Sequence, residues 1–443
     1  MATRFMNIDR DTPMLLPVDL RDWIPADHIV HFILDAVGAL ETSLFCVNAK
    51  GSGSEQYPPQ MMLALLIYSY ATGRFSSRDI ERATHADVAV RYICGGEYHP
   101  DHDTICEFRR RNRQAFEAMF VKVLMLAQES KCLKKVGTIA VDGTKILANA
   151  SKHAAVSYER AGKQIEMLQA EVKALTAKAE KADETPLEDG YRIPKEIQRR
   201  QDRIATLQKA KELIEKRFAE QSGKEEVGDV LTPKDGRKRK VPGKMQLNFT
   251  DPDSRIMKAG NGFEQAYNAQ AAVDTSSMLI VGQHVTQSPN DKQQLVPTVE
   301  CVSVPGYTPK AVLADSGFYS EEAVKEVERE GGPQVYASQG RTHHGLRVED
   351  MERKPEPVAP ACDAPIAEQM KYRLTKKKGK KLYGLRKQTV EPVFGIIKQA
   401  MGFRQFLLRG IQNVKTEWSL VCLAFNTRRL FSLKSAELTL AMG

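Results

Sequence analysis

Three acidic residues, far apart in the chain, have the type and setting expected of metal ligands. Asp142 follows the apolar run 136–141, and Asp315 follows the apolar run 310–314. Short apolar runs bounded by charge and glycine are typical of buried strands, so both aspartates are predicted at strand ends. The third acid, Glu391, lies in a late segment that is predicted to be helical.

Carboxylates that converge repel one another unless divalent cations neutralise them. Hard oxygen ligands without a nearby His or Cys cluster favour Mg²⁺ or Mn²⁺ over zinc. Two such ions, about 3.5–4 Å apart, can activate a nucleophile and stabilise a leaving oxygen in phosphodiester chemistry. The plainer interpretation of Asp142 and Gly143 is a turn, because both residue types are common in turns.

The chain of 443 residues carries a net charge of +9 and is 42% hydrophobic. This length and apolar content predict two or three domains with substantial cores. The positive charge favours a polyanionic partner, although a mildly basic protein of this size is common. The places where basic residues cluster therefore count for more than the total.

Cysteine usage and apolar patterning predict a soluble, cytoplasmic protein with no membrane partner. The seven cysteines have no C-x-x-C spacing, which favours reduced thiols over a zinc site or a disulfide framework. The N-terminus has no apolar signal region, and no apolar run is long enough to cross a bilayer.

Residues 1–130 are predicted to be helical, with several short helices followed by a long helix from Thr104 to Gln128. Such an arrangement suits a DNA-binding module of the helix-turn-helix kind. The first turns of the long helix carry four arginines: Arg109, Arg110, Arg111 and Arg113. A basic cluster of this kind is a candidate DNA contact, although four arginines also occur on an ordinary solvated face.

A pair of long helices interrupts the second half of the chain. Apolar residues recur at spacings of three and four in 157–181 and again in 197–218, with a Pro- and Gly-containing break between them. This pattern predicts an antiparallel helical hairpin that serves assembly or lies along a ligand, without chemistry of its own. A polar, basic linker follows at 223–243.

The strand signal returns after the linker and alternates with helices. A β-hairpin is predicted from 268–273 and 278–285, a helix from Asn290, the strand that ends in Asp315, a helix from Ser320, and a strand at 334–337. A dense basic run at 371–387 leads into the Glu391 segment. Without the insertion this is an α/β domain with a mixed sheet, in the element order of the RNase H-like nucleotidyl-transferase fold.

Other acids and one histidine pair are interpreted as structural. Asp274 lies in the tight turn of the predicted β-hairpin, and Asp251 and Asp253 flank a proline before a strand. Acids at predicted helix starts are interpreted as caps: Asp87, Asp101 and Asp103. His343 and His344 lie in a Pro-rich loop and are predicted to be exposed.

The segment YGLRKQTVEPVFGIIK contains Tyr383, Arg386, Glu391 and Lys398. It resembles the Y-R-E-K signature of bacterial insertion-sequence transposases with a DDE catalytic triad. IAVDGTK and VLADSGFYS resemble the first two acidic motifs of that family, and FTDPDSRIMK and QAYNAQAAVD resemble its intervening strands. The stretch from PPQMMLALLIYSYATG to PDHDTICEFRRRN is similar to the family's N-terminal domain. The resemblance covers nearly the whole chain, and the helical hairpin corresponds to an insertion typical of one subgroup.

The resemblance implies that Asp142, Asp315 and Glu391 are catalytic ligands of two Mg²⁺ or Mn²⁺ ions. It also implies contacts to the DNA backbone near the cut, made by Tyr383, Lys398 and one basic residue before Glu391. The family leaves three residues between that arginine and the glutamate; Arg386 leaves four, and Lys387 has the usual spacing. Either can fill the role. Pro392 is accommodated in a first helical turn if the helix begins near Thr389.

The resemblance implies a transposase that binds terminal inverted repeats, cleaves the element ends, and joins the freed 3′-hydroxyl to target DNA. Synapsis of two ends implies a homodimer in the active complex. The corresponding organisation is a DNA-binding domain at 1–130 and a catalytic domain at 131–443, which 152–244 interrupts. The alternatives are a structure-specific nuclease or resolvase on the same fold, a catalytically inactive DNA-binding repressor, and a coiled-coil scaffold.

Overall fold

The structure is a computed structural model that describes residues 19–47, 55–184, 193–221, 240–259, 262–302, 304–340, 358–361 and 364–442. Most of the basic linker and the pair His343 and His344 lie outside these residues. No helix in the described part of the chain is long and apolar enough to cross a membrane.

A mixed sheet forms the centre of the molecule. The described strands are β1 Val136–Leu147, β2 Ala155–Ser157, β3 Gln246–Asn248, β4 Arg255–Ala259, β5 Gly262–Asp274, β6 Ile280–Thr286, β7 Thr308–Ala314 and β8 Gln334–Ala337. β5 pairs antiparallel with β1 along one edge and with β4 and β6 along the other. β7 and β8 extend the sheet parallel to β1, while β2 and β3 form a separate ribbon.

β1 is longer than the sequence predicted, and this corrects the position of Asp142. The strand continues to Leu147 because β5 pairs with it throughout, so Asp142 lies inside β1 opposite Ala271 and not at its end. β7 pairs with β1 only as far as Ala140. The last part of β1 therefore has no β7 neighbour, and Leu147 bridges Gln405 there instead. The place at the level of Asp142 where β7 parts from β1 is called the cleft below.

Six described α-helices precede the sheet: α1 Ile29–Gly38, α2 Pro59–Ala71, α3 Ser77–Ala86, α4 Val88–Ile93, α5 His102–Arg111 and α6 Arg113–Glu129. The predicted single helix from Thr104 to Gln128 is wrong, because α5 ends and α6 begins at Asn112. The Asn112 side chain donates to the Phe108 carbonyl (2.9 Å) and accepts from the Cys46 amide (2.8 Å). Such side-chain bonds to the backbone compete with a continuous helix.

The predicted paired helices are α7 Tyr158–Glu184 and α8 Ile193–Gln221. They run antiparallel, since Tyr158 Oη donates to Glu215 (2.5 Å) near one end and Arg200 Nε donates to Glu171 (2.7 Å) farther along. Their shared apolar cluster is separate from the main core and contains Ile165, Leu207, Ala210 and Ile214, among others. Leu247 of β3 belongs to the same cluster, so the base of the pair is anchored on the β2–β3 ribbon.

The remaining described helices are α9 Leu295–Glu300, α10 Glu321–Val327, α11 Ile366–Thr375, α12 Lys377–Gly395 and α13 Ile411–Met442. α12 begins well before Thr389, so Pro392 lies inside it and not in its first turn, which corrects that expectation. Proline has no N–H to donate, and the α-helix ends three residues later in a π-helical turn, Ile396–Ala400.

One continuous hydrophobic core joins the N-terminal helices to the sheet. Phe116 of α6, Tyr267 of β5 and Trp418 of α13 are fully buried members of the same cluster. Helix α13 packs against α2, α6 and β6. The described residues before and after position 130 thus share one core.

Candidate active site

Asp142 and Asp315 come together because β1 and β7 are parallel neighbours. Ala140 pairs with Leu313, which places the two aspartates, each two residues farther along, at the same level of the sheet. Burial raises the pKa of Asp142 to about 7, and the negative charge of Asp315 contributes to this increase. The Gly143 amide donates to Asp142 (2.9 Å), and the Gly317 amide donates to Asp315 (2.7 Å).

Arg386 links Asp142 to Glu391 across the cleft. Its Nη1 lies 3.7 Å from Asp142 Oδ2, and its Nη2 lies 3.4 Å from Glu391 Oε1. The Arg386 side chain is only 11% exposed, whereas Lys387 is exposed. Of the two basic residues before Glu391, the helix therefore turns Arg386 towards the carboxylates and Lys387 towards solvent.

The carboxylate oxygens of this site suit a hard cation, but they do not form a complete set of ligands around one position. Asp142 and Asp315 offer adjacent carboxylate oxygens, which Mg²⁺ and Mn²⁺ prefer. Glu391 is 50% exposed and paired with Arg386. Among the residues that the structure describes, no three His, Cys, Asp or Glu side chains form a group that could hold a metal ion. Arg386 supplies the positive charge between the carboxylates in this arrangement.

Comparison with known families identifies the chain. Residues 231–427 match the transposase DDE domain, and residues 18–111 match a transposase domain of the DUF772 type. The chain belongs to the insertion-sequence DDE transposases. The matched DDE segment contains Asp315 and Glu391, while Asp142 precedes it. No curated protein and no solved structure matches the chain.

The transposase family acts on DNA, and its DDE domains generally use divalent metal ions. The two remaining residues of the Y-R-E-K segment lie near the cleft in different settings. Tyr383 is half-buried and packs against the main core. Lys398, in the π-helical turn, donates from Nζ to the Lys145 carbonyl (2.9 Å). Burial lowers the pKa of Lys398, and the charge of Lys145 lowers it further.

A fourth acid, Asp291, lies beside the site in the transposase and was not identified from the sequence. It accepts hydrogen bonds from Asn268 Nδ2 (2.6 Å) and Gln270 Nε2 (2.7 Å), and Lys145 Nζ lies 3.4 Å away. The sequence predicts it in the first turn of a helix from Asn290, but α9 begins later, at Leu295. Only the alternating Asn and Gln of the β5 strand gave a signal, since two buried amides on one strand face need partners.

The four arginines near residue 110 do not form one surface. Arg109 is 3% exposed; its Nη1 donates to Tyr70 Oη (2.8 Å) and the Phe75 carbonyl (3.0 Å) and lies 3.8 Å from Glu417. Its assignment as a DNA contact is therefore corrected to a structural one. The other three arginines are on the surface, where Arg111 pairs with Glu107 and Arg113 pairs with Glu117.

The acids interpreted as structural have structural contacts. Asp274 is fully buried and accepts from Ser276, Ser277 and Tyr307. Asp251 accepts from Tyr267 Oη (2.8 Å), and Asp253 accepts from the Ile411 amide (3.0 Å) at the start of α13. As helix caps, Asp87 accepts from the Val90 amide and Asp101 accepts from the Thr104 amide, whereas Asp103 lies in the first turn of α5.

Proposed function

We propose that this transposase binds the terminal inverted repeats of its own element, cleaves the phosphodiester bonds at its ends, and joins the freed 3′-hydroxyls to target DNA. The observation that carries the proposal is the Arg386 bridge. It brings Glu391 to Asp142, and Asp315 lies beside Asp142 on the next strand. This link between Asp142 of β1, Asp315 directly after β7 and Glu391 of α12, in a protein with a basic net charge, supports the proposal.

The proposed catalytic fold is RNase H-like. Its support is the strand order β6–β5–β1–β7–β8, in which β5 alone is antiparallel to its neighbours β1 and β6, and β7 and β8 run parallel to β1. We assign DNA recognition to 1–130 and catalysis to 131–443, with 152–244 as an insertion. The pair of α7 and α8 within that insertion would serve assembly or DNA contact.

The proposed ligands of two Mg²⁺ or Mn²⁺ ions are Asp142, Asp315 and Glu391. When bound, the ions would activate water or the 3′-hydroxyl and stabilise the leaving oxygen. The chain's own residues orient the site: the Gly143 and Gly317 amides fix one oxygen of each aspartate. Arg386 neutralises part of the acidic charge, and its planar guanidinium is suited to a phosphate.

The proposed DNA contacts near the cut are Tyr383, Arg386, Lys387 and Lys398. Surface arginines on and after α5 would add contacts to the repeat ends: Arg110, Arg111 and Arg113. Arg386 has the central position because it already faces the carboxylates, whereas exposed Lys387 would reach a phosphate farther from the cut. Two element ends must be held together for transposition, so the proposed active form is a homodimer.

A strand-transfer assay tests the function. Asp142→Asn, Asp315→Asn and Glu391→Gln keep side-chain size and remove the charge that holds cations. Each should reduce cleavage by on the order of 10²-fold or more in Mg²⁺. Binding to repeat ends in EDTA should change little, because arginine and lysine make most phosphate contacts. Glu322→Gln, at an exposed acid of α10, is the matched control and should cleave normally.

The products separate this function from its alternatives. A transposase joins the labelled 3′-hydroxyl end to a second duplex. Cleavage without any joining would instead indicate a nuclease or resolvase, and binding without cleavage would indicate a repressor. Near wild-type cutting and joining by a folded Asp315→Asn variant would contradict the assignment of the site.

A further inference from the structure

The segment that follows the π-helical turn, residues 401–410, lies along the end of β1 and is called the β1-end loop below. The Leu147 amide donates to the Arg404 carbonyl (3.2 Å), and the Phe406 amide donates to the Leu147 carbonyl (2.8 Å). Both bonds hold the loop beside the last residue of the strand. The β1-end loop is therefore attached directly to the strand that carries Asp142.

Buried contacts fix the inner side of the β1-end loop. Its fully or nearly buried side chains include three large apolar ones: Phe403, Phe406 and Leu408. Glu417 accepts from the Leu407 and Leu408 amides (2.9 Å each). Asp251 accepts from the Gly410 amide (3.2 Å). These two carboxylates thus bind the backbone of the loop and not its arginine side chains.

The exposed side of the β1-end loop carries two arginines, Arg404 and Arg409. Arg404 Nε donates to the Lys398 carbonyl (3.1 Å), and its Nη2 donates to Gln399 Oε1. Arg409 Nε donates to the Asn149 carbonyl (3.0 Å), and its Nη2 lies 3.4 Å from Asn149 Oδ1. Neutral oxygens thus hold each guanidinium through Nε and Nη2, and neither Nη1 has a hydrogen-bond partner among the described residues.

The positive charges of these two arginines are not paired with an acid. Several exposed arginines of the chain do pair with a carboxylate, as Arg111 does with Glu107 and Arg329 does with Glu326. Within the described ranges, neither arginine of the β1-end loop forms an ion pair. A planar guanidinium is suited to a phosphate, and one that is already ordered loses less conformational freedom when it binds. The loop therefore presents two ordered positive charges that suit a polyanion.

The β1-end loop is close enough to the proposed site to contact the same DNA duplex. Leu147 is the fifth residue after Asp142 in β1, which corresponds to about 17 Å of strand. That distance is about half a helical turn of B-DNA, or about five base pairs. A straight duplex with its cleaved phosphate at Asp142 therefore has further phosphates at the distance of the loop.

We propose that Arg404 and Arg409 form a second DNA-backbone site, which binds phosphates about five base pairs from the cleaved bond and so holds the duplex across Asp142 and Asp315. The inference rests on the proposed function, because it takes these aspartates as the position of the cut. Both arginines contact phosphate oxygens and no reacting atom, so they are positioning residues.

A salt titration of DNA binding to the full chain in EDTA tests this site. The probe is a duplex that carries one terminal repeat of the element with its flanking DNA. Arg404→Gln combined with Arg409→Gln removes both charges and keeps amides that can donate to the neighbouring oxygens. This double variant should bind about 10-fold more weakly and should reduce the salt slope of log K by about 2, as expected for two lost phosphate contacts. An unchanged salt slope would overturn the proposal.

Two control variants separate a phosphate contact from a general effect of charge. Arg329→Gln removes an exposed arginine that is paired with Glu326, and it should leave the affinity and the salt slope unchanged. A reduction as large as that of the double variant would contradict the inference. Lysine at both Arg404 and Arg409 keeps the charges and should retain most of the salt slope; a slope as low as that of the glutamine variant would also contradict it.

Single methylphosphonate linkages, each of which removes the charge of one phosphate, test the position of the contact. The wild-type protein should bind less tightly when the neutral linkage lies about five base pairs from the cut, and the double glutamine variant should be insensitive there. If no phosphate at this distance affects the wild type, the proposal is wrong, even if the variant fails to fold. Equal sensitivity of the wild type and a folded variant would assign these phosphates to other residues and would overturn it too.

Cleavage of the same duplex in Mg²⁺ separates this inference from the proposed function. If the wild-type chain cuts no duplex, the proposed function fails and the inference fails with it. If the wild type cuts and joins ends while the double variant keeps the wild-type salt slope, only the role of Arg404 and Arg409 is wrong.

Discussion

At the scale of single residues, the site combines one arginine with acidic side chains whose negative charges repel one another. Arg386 contacts two of the acids, and Asp142 is mostly buried beside Asp315. A buried carboxylate of this kind is costly to ionise, which is the usual sign of a functional site and not of a stabilising contact. The metal-free protein should therefore gain stability when Asp142 loses its charge.

Asp142→Asn should stabilise the metal-free protein at pH 8 by on the order of a few kcal/mol. The pKa of Asp142 is about 7 in the folded protein, above its usual value of 3.8. The folded state thus binds a proton more tightly than the unfolded state, and this contribution to stability is lost as pH rises from about 4 to 7.

Urea unfolding in EDTA at pH 8 and pH 3.5 measures this effect. The difference between wild type and Asp142→Asn should be large at pH 8 and should disappear near pH 3.5, where the carboxyl is protonated in both states. A difference that does not depend on pH would indicate that the ionised carboxylate is not the cause.

At the same scale, Asp274 is unsuitable as a control for the proposed catalytic acids. Asp274 is not a neutral position, because its carboxylate accepts from two serines and from Tyr307 in a fully buried turn. Substitution there would leave several buried donors unpaired. An exposed acid such as Glu322 separates chemistry from folding more cleanly.

At the scale of elements, α5 combines one buried arginine with exposed ones. Arg109→Ala should destabilise the fold by about 3–5 kcal/mol, because Glu417 would remain fully buried without its cation.

Alanine at Arg110, Arg111 and Arg113 together should leave the melting temperature nearly unchanged. It should weaken binding to repeat ends and reduce the salt slope of log K by up to about 3.

Thermal melts and a salt titration of DNA binding distinguish the two roles. A triple variant with unchanged affinity and unchanged salt slope would place the DNA-binding surface elsewhere. An Arg109→Ala protein of wild-type stability would contradict the buried pairing.

The pair of α7 and α8 has its own apolar cluster, apart from the main core. Replacing the paired helices beyond their buried base with a short flexible linker should preserve metal-dependent nicking of a short or pre-nicked DNA, because no candidate catalytic residue lies within them. Synapsis or end binding should decline instead. Loss of all nicking by a folded deletion protein would assign the pair a part in the chemical step.

At the scale of the whole molecule, the N-terminal helices depend on the C-terminal helix. Tyr70 and Arg109 meet Glu417 of α13 in a buried network, and Phe75 packs against Phe403 with ring centroids 5.1 Å apart. Glu417 also accepts from the Leu407 and Leu408 amides (2.9 Å each), which fixes the loop that follows the π-helical turn.

A fragment of residues 1–130 should therefore not fold cooperatively by itself. Without α13 it would expose the apolar faces of α2 and α6 and leave Arg109 without its partner. Unlike the full chain, the fragment should bind a dye that detects exposed hydrophobic surface and should unfold in a broad thermal transition. It should also lack a distinct near-UV circular dichroism signal. A sharply folded fragment would restore the independent domain predicted from the sequence.

The sequence by itself determined the residues that follow from local pattern. Apolar runs with glycine boundaries gave β1 and β7, and period-3.6 apolar residues gave α7 and α8. The paired acids and the Y-R-E-K segment gave the family, which the transposase domain matches bear out. These features can be predicted because the periodicity of a strand or a helix appears within a few neighbouring residues.

Only the tertiary structure decided which residues meet. Arg386 and not Lys387 faces the carboxylates, since the rotation of α12 on the sheet selects one side of the helix. Arg109 is buried beside Glu417, and Asp291 pairs with Lys145, which is far away in the sequence. These contacts join parts of the chain that are far apart, and no local pattern encodes them, because burial and pairing depend on how whole elements pack.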